Sequence, residues 1–243
     1  MRLVKGLSFA CAVLASGAAH GQSDPAGFNA VIDVTSGMSV GGSVGSDTQV
    51  NLFDGGLIEP GFEAGAFGGS TTNIEVNVFA GVVGDGFRAS QGATVNVLGG
   101  VVRPDFLVRG GGAVNIRGGV IAGDVAAILN GHIEIAGGEF NGPVNGFVGS
   151  ATNITGRSFA FDGQDVTSLL TLNEPFDILF RGGVLSGEFV DGAPFSFDVN
   201  GIFVDGQDFW DNAATLTITR APEPTTAALL LAMSAGVGMR RRR

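Results

Sequence analysis

Five short β-type triplets begin 19 residues apart, at positions 76, 95, 114, 133 and 152: Val76-Asn77-Val78, Val95-Asn96-Val97, Val114-Asn115-Ile116, Ile133-Glu134-Ile135 and Thr152-Asn153-Ile154. Two looser copies precede them, Ile32-Asp33-Val34 and Val50-Asn51-Leu52, the second followed by a longer glycine-rich connection through Gly61 to Ser70. Self-similarity at this period means stacked units, none of which can bury its apolar face alone.

The interior of one unit says how it coils. Val95 and Val97 flank Asn96, Gly99-Gly100 makes a corner, Val101-Val102 opens a second run, and Phe106-Leu107-Val108 forms a third before Gly110-Gly111-Gly112. Strand alternation sends the valines to one face and the asparagine to the other. Glycine supplies the positive φ that corners demand. A helix is disfavoured, because each interior glycine costs about 1 kcal/mol relative to alanine. The expected fold is all-β: a three-sided parallel β-helix, or solenoid, of about seven coils spanning residues 22–156.

Stacking predicts one inward column of Val76, Val95, Val114 and Ile133, and another of Phe87, Phe106, Val125 and Val144. On the outside, Asn77, Asn96, Asn115, Glu134 and Asn153 are expected to form a ladder with rungs about 4.8 Å apart. Such a ladder stabilises the stack or contributes to a binding face. The spacing leaves handedness open; a right-handed path is favoured because the glycine-rich repeats resemble autotransporter-like solenoids.

Past Arg157 the period disappears. Residues 157–220 read as a β-rich cap, or as a small antiparallel module sealing the last coil, since a solenoid needs atypical end units to hide its open coil. Its expected strands are Phe176 to Phe180, Gly187 to Val190, Phe195 to Val199 and Ala214 to Thr219, with a core of Phe159, Phe161, Phe176, Phe180, Phe195, Phe197 and Trp210.

The ends have a different character. Arg2 and Lys5 precede the apolar stretch Leu7 to Leu14 and the small residues Ala15-Ser16-Gly17-Ala18-Ala19, the order of a secretory signal peptide over residues 1–21. Cys11 is the single cysteine and lies inside that stretch, so neither a disulfide framework nor a lipoprotein anchor is indicated. At the far end, Ala221-Pro222-Glu223-Pro224 is followed by an apolar or small run, Thr225 to Met239, and by Arg240, Arg241, Arg242 and Arg243. The two prolines keep the tetrapeptide extended and accessible. As a helix, the following run would reach about 22 Å, short of a bilayer core of about 30 Å, but flanking arginines can snorkel to the interface. They also favour a cytoplasmic terminus.

This tripartite arrangement over residues 221–243 resembles the PEP-CTERM sorting signal, with Pro222, Glu223 and Pro224 as the motif, residues 225–239 as the transmembrane segment and Arg240 to Arg243 as the basic anchor. The resemblance implies recognition by an exosortase, a transient stay in the inner membrane, and delivery to the cell surface or the extracellular space, frequently with extracellular polysaccharide. Thr225-Thr226 after the motif and Ser234, Gly236 and Gly238 within the short apolar run depart from the family pattern.

Charge narrows the functional classes. Between Gln22 and Arg220 the chain has seven Arg, no Lys and 22 Asp plus Glu, a formal −15, which repels phosphates and so excludes a nucleic-acid partner. His20 falls in the leader, leaving His132 as an exposed corner residue, so neither a hydrolytic triad nor a zinc site is indicated. Glu134, Glu139, Asp105 and Asp124 occupy different column positions and form no marked carboxylate pair. Asp162-Gly163-Gln164-Asp165 and Asp205-Gly206-Gln207-Asp208, with Asp211 further on, offer oxygen ligands for a structural calcium, but Asp-Gly pairs more commonly make hairpin turns. The expectation is a non-enzymatic structural or adhesive surface protein without a cofactor. A polysaccharide-active β-helix enzyme and a non-catalytic glycan-binding module are the alternatives.

Overall fold

The computed structural model describes residues 27–222. The expectations placed on residues 1–26 and 223–243, which include the signal peptide, Glu223, Pro224 and the arginine cluster, lie outside the described residues. Within them the chain is all-β, and its parallel strands stack as a solenoid of about seven turns.

The first side of each coil carries the triplets found in the sequence. Ala30–Val34, Thr48–Leu52, Ile74–Val78, Ala93–Val97, Ala113–Ile121, His132–Phe140 and Ala151–Phe161 follow one another in parallel. Val50, Val76, Val95 and Val114 are paired in register, as are Leu52, Val78, Val97 and Ile116. These residues are buried and form two inward columns. The third side is a seven-stranded sheet whose inward residues include Phe62, Phe87, Phe106, Val125 and Val144, all buried. Phe62 and Phe87 stack at 5.7 Å, and Phe87 meets Phe106 edge-on at 5.2 Å.

The paired glycines have divided roles. In Gly99-Gly100 the second residue has φ 73°, the left-handed region where glycine is strain-free. The first is required by proximity: a Cβ at Gly99, Gly118 or Gly137 would sit 2.3, 2.5 or 2.5 Å from a carbonyl oxygen of the preceding coil. A side chain at either position would therefore push successive coils apart or strain the corner.

The C-terminal region is β-rich, as expected of a cap, and also returns to the solenoid. Thr215–Arg220 is an eighth rung of the first side, parallel to Ala151–Phe161, with Leu216 opposite Thr152 and Ile218 opposite Ile154. Phe209–Trp210 likewise joins the third-side sheet in parallel, with Trp210 opposite Gly146. The cap is thus an excursion between two stacked rungs. It contains an antiparallel meander in which the end of Ala151–Phe161 pairs with Val184–Phe189, which pairs with Pro194–Asp198.

Phe159, Phe189, Phe195, Phe197 and Trp210 bury themselves over the last coil, with Phe189 and Phe195 stacked at 4.6 Å. Phe176 and Phe180 do not join this core as predicted: they are 52% and 54% exposed, and Phe161 is half-buried. Pro175–Asp177 pairs antiparallel with the outermost rung, so no further layer covers it. Arg181 fastens the excursion to the final coil, its guanidinium donating to the carbonyls of Ile178, Phe180, Trp210, Asp211 and Ala214.

Candidate functional site

The outward residues of the first side make the most ordered polar feature among the described residues. Asn51 donates to Asp33 Oδ1 at 2.8 Å, Asn77 to Asn51 at 3.0 Å, Asn96 to Asn77 at 2.8 Å and Asn115 to Asn96 at 2.9 Å. Every Nδ2 points to the preceding coil, so the row has a direction and the Asp33 carboxylate terminates it. At the other end, Asn153 donates to both Glu134 carboxylate oxygens at 2.8 and 2.9 Å, and Thr155 donates to Oε1. Thr217 and Thr219 of the eighth rung donate in turn to Asn153 Oδ1.

The ladder is in the predicted register but does not lie wholly in water. Asn51, Asn77 and Asn96 are buried, whereas Asn115, Glu134 and Asn153 are half-buried. Longer groups on either side account for this: Gln49 bonds Glu75 at 2.9 Å along one flank, and Phe53 stacks on Phe79 at 5.3 Å along the other. A buried amide is tolerated when its donors and acceptors are engaged, and each bond contributes about 1 kcal/mol net.

Beside the half-buried part lies an open groove of about 430 Å³, lined by Phe28, Glu75, Thr94, Asn96, Asn115 and Arg117. Arg117 is exposed, and among the described residues the sole ion pair is Arg109 with Glu63, at 2.9 Å. Burial pushes the Glu63 carboxyl up, but hydrogen bonds from Arg109 and Ser90 outweigh it and hold the group below its ordinary range. The predicted corner residue His132 is exposed.

Of the carboxylates singled out in the sequence, Asp124, Asp162, Asp165, Asp208 and Asp211 serve the backbone. Asp124 accepts the Asp105 N–H at 2.9 Å. Asp162 and Gly163, with φ 48° and 76°, form a tight hairpin turn in which Asp162 also accepts the Val184 N–H. Asp165 accepts from Thr167, and Asp211 from Ala213. Asp208 takes the Val144 N–H at 2.7 Å and the Asp198 N–H at 2.9 Å, joining the excursion to the last regular coil. Burial, helped by the nearby Asp198 charge, raises its carboxyl above the ordinary range despite those two bonds. Among the described residues, no group of three or more His, Cys, Asp or Glu side chains is placed to hold a metal. In the Asp-Gly-Gln-Asp segments, Asp162, Asp165 and Asp208 cap backbone N–H groups.

Two charged residues tie the excursion down: Arg181, which sequence reasoning passed over, and Asp208, which it offered as a calcium ligand rather than as a backbone clamp. Neither belongs to a periodic column, so spacing gives them no signal. Of the sorting motif, Pro222 is described: it is exposed and directly follows buried Ala221, whose N–H donates to Gly156 O. Among the described residues no helix is long and apolar enough to cross a membrane. No protein-family model, curated protein or solved structure matches the chain.

Proposed function

We propose that this chain is an exported structural or adhesive component of a bacterial cell surface or extracellular matrix, sorted through Pro222, Glu223 and Pro224. The observation that carries the non-enzymatic part is the use to which its polar groups are put. The ladder amides bond one another from coil to coil, while Asp124, Asp162, Asp165, Asp208 and Asp211 cap backbone N–H groups. A regular stack fastened in this way suits a rod or spacer. Exit of the chain at exposed Pro222, beyond the last rung, supports access by a membrane-bound exosortase.

Deleting residues 221–243 tests the sorting reading. The truncated chain is expected to lose membrane-linked processing, and an unchanged mature mass and location would reject the assignment.

The groove beside Asn115 and Arg117 favours a second reading, a glycan-binding module. Its mixture of amide, hydroxyl, guanidinium and aromatic groups suits a saccharide, and its size falls within the range of small-ligand sites. Saturable binding of neutral or acidic oligosaccharides, lost in Arg117→Ala without any turnover, would identify it; release of oligosaccharide products would point instead to a polysaccharide-active enzyme.

A further inference from the structure

An apolar ridge follows one corner of the solenoid, beginning at Phe67, whose ring has the Glu63-paired guanidinium of Arg109 4.5 Å above it. Phe67 covers the corner glycine Gly110, where an added Cβ would meet the ring at 3.2 Å. In the next two coils the equivalent corner residues are Leu129 and Val148, 52% and 58% exposed. Beyond them Phe203 packs on Phe147, and exposed Ile202 and Leu179 line one open groove at the end of the molecule. The corners that carry it stack directly, hydrogen-bonded in series: Gly110 N–H to Leu129 O, Asn130 N–H to Gly149 O, and Gly149 N–H to Ala213 O.

Leu129 has the further peculiarity of φ 47°, a left-handed conformation that its counterpart Gly110 adopts at 57°. A leucine there is strained, and its exposed side chain gains little by burial within its own chain. Both costs are explicable if the side chain is buried by something else.

We propose that a second copy of this chain covers the ridge, running antiparallel about a twofold axis. Area and charge both favour that occupant. The six exposed side chains present on the order of 700 Å², close to the roughly 800 Å² per partner of a standard interface. The ridge also has unlike ends. The solenoid end holds Arg88 and Arg109 against Glu63 alone, a net positive group, and Asp205 follows Val204 at the cap end. Antiparallel ridges bring Asp205 of each copy toward Arg88 of the other, whereas parallel ridges would oppose Asp205 to Asp205. Elsewhere the excess negative charge disfavours contact between copies.

Light scattering on the full chain, with both ends intact, tests the proposal. The parent is expected at twice the monomer mass at tens of micromolar. Leu129→Asn, alone and combined with Val148→Asp, should weaken dimerisation at least about 100-fold, while the melting temperature of Leu129→Asn stays level or rises because asparagine tolerates the left-handed region. The unchanged ends separate this effect from association through the terminal apolar segments. A parent that stays monomeric up to about 100 µM, well above the micromolar dissociation constants of ordinary specific complexes, would overturn the proposal. So would a variant that keeps the dimer mass, or a monomeric parent that co-sediments with phosphatidylcholine vesicles through Leu129 and Val148, which would assign the ridge to lipid.

Discussion

Replacing Thr152 with valine should stabilise the protein. Thr152 is 1% exposed in an inward column otherwise built of aliphatic residues, between Ile133 and Leu216, and its Oγ1 has no hydrogen-bond partner. A buried unsatisfied hydroxyl costs about 1–3 kcal/mol, and the methyl replacing it adds up to about 0.8 kcal/mol of burial where the space accepts it. Both residues are β-branched, so strand propensity changes little. The expected gain is about 2 kcal/mol, or roughly 4–8 °C in melting temperature for a chain of this size. Thermal and urea unfolding followed by far-ultraviolet circular dichroism would measure it. Thr152→Ser, which keeps the hydroxyl and loses the methyl, should fall below the parent. A valine variant no more stable than the parent, with an unchanged urea slope, would refute the reasoning and show that the hydroxyl is satisfied.

Gly146→Ala should destabilise by about 1–3 kcal/mol through overpacking, because the new Cβ would lie 2.6 Å from Trp210 Cδ1; a melt matching the parent would mean that the indole moves freely. Val97→Asp puts an unpaired charge into a fully buried column and should cost more than about 3 kcal/mol, so an unaltered melting temperature would place Val97 in water. Glu63 has its carboxyl held below the ordinary range in the fold, so its contribution is present above that range and is lost as pH falls through the lowered value. Glu63→Gln should therefore flatten the acid limb of the stability–pH curve, and an acid limb identical to the parent's would dissociate Glu63 from it.

The solenoid is legible because one physical requirement, keeping aliphatic columns in register, repeats every 19 residues from Val76 to Ile154. The eighth rung obeys the same requirement, with Leu216 and Ile218 continuing the inward columns. It escapes a periodic reading because Asn153 meets Thr217 across 64 residues, which is not a multiple of the repeat. Alternation in Thr215-Leu216-Thr217-Ile218-Thr219 shows a strand but cannot name its neighbour. The asparagine register is equally visible in the sequence. Burial of Asn51 and Asn77 is not, because it depends on the Gln49–Glu75 and Phe53–Phe79 contacts alongside. Phe176 and Phe180 mislead for a related reason: composition makes them core candidates, and position on the outermost layer leaves them uncovered.

The returning rung also orders assembly in time. Neighbouring coils meet after closing about 19 residues, whereas the last pairing spans 64 and carries roughly 1 kcal/mol more loop-closure entropy. Coils can therefore zip up from the N-terminal side as the chain becomes available, leaving the column of Ala89, Val108, Ala127 and Gly146 open at its end. Trp210 fills that opening only when the final stretch folds back. Further elongation on the first side then stops, because the edge that would template another coil is already paired antiparallel with Pro175–Asp177.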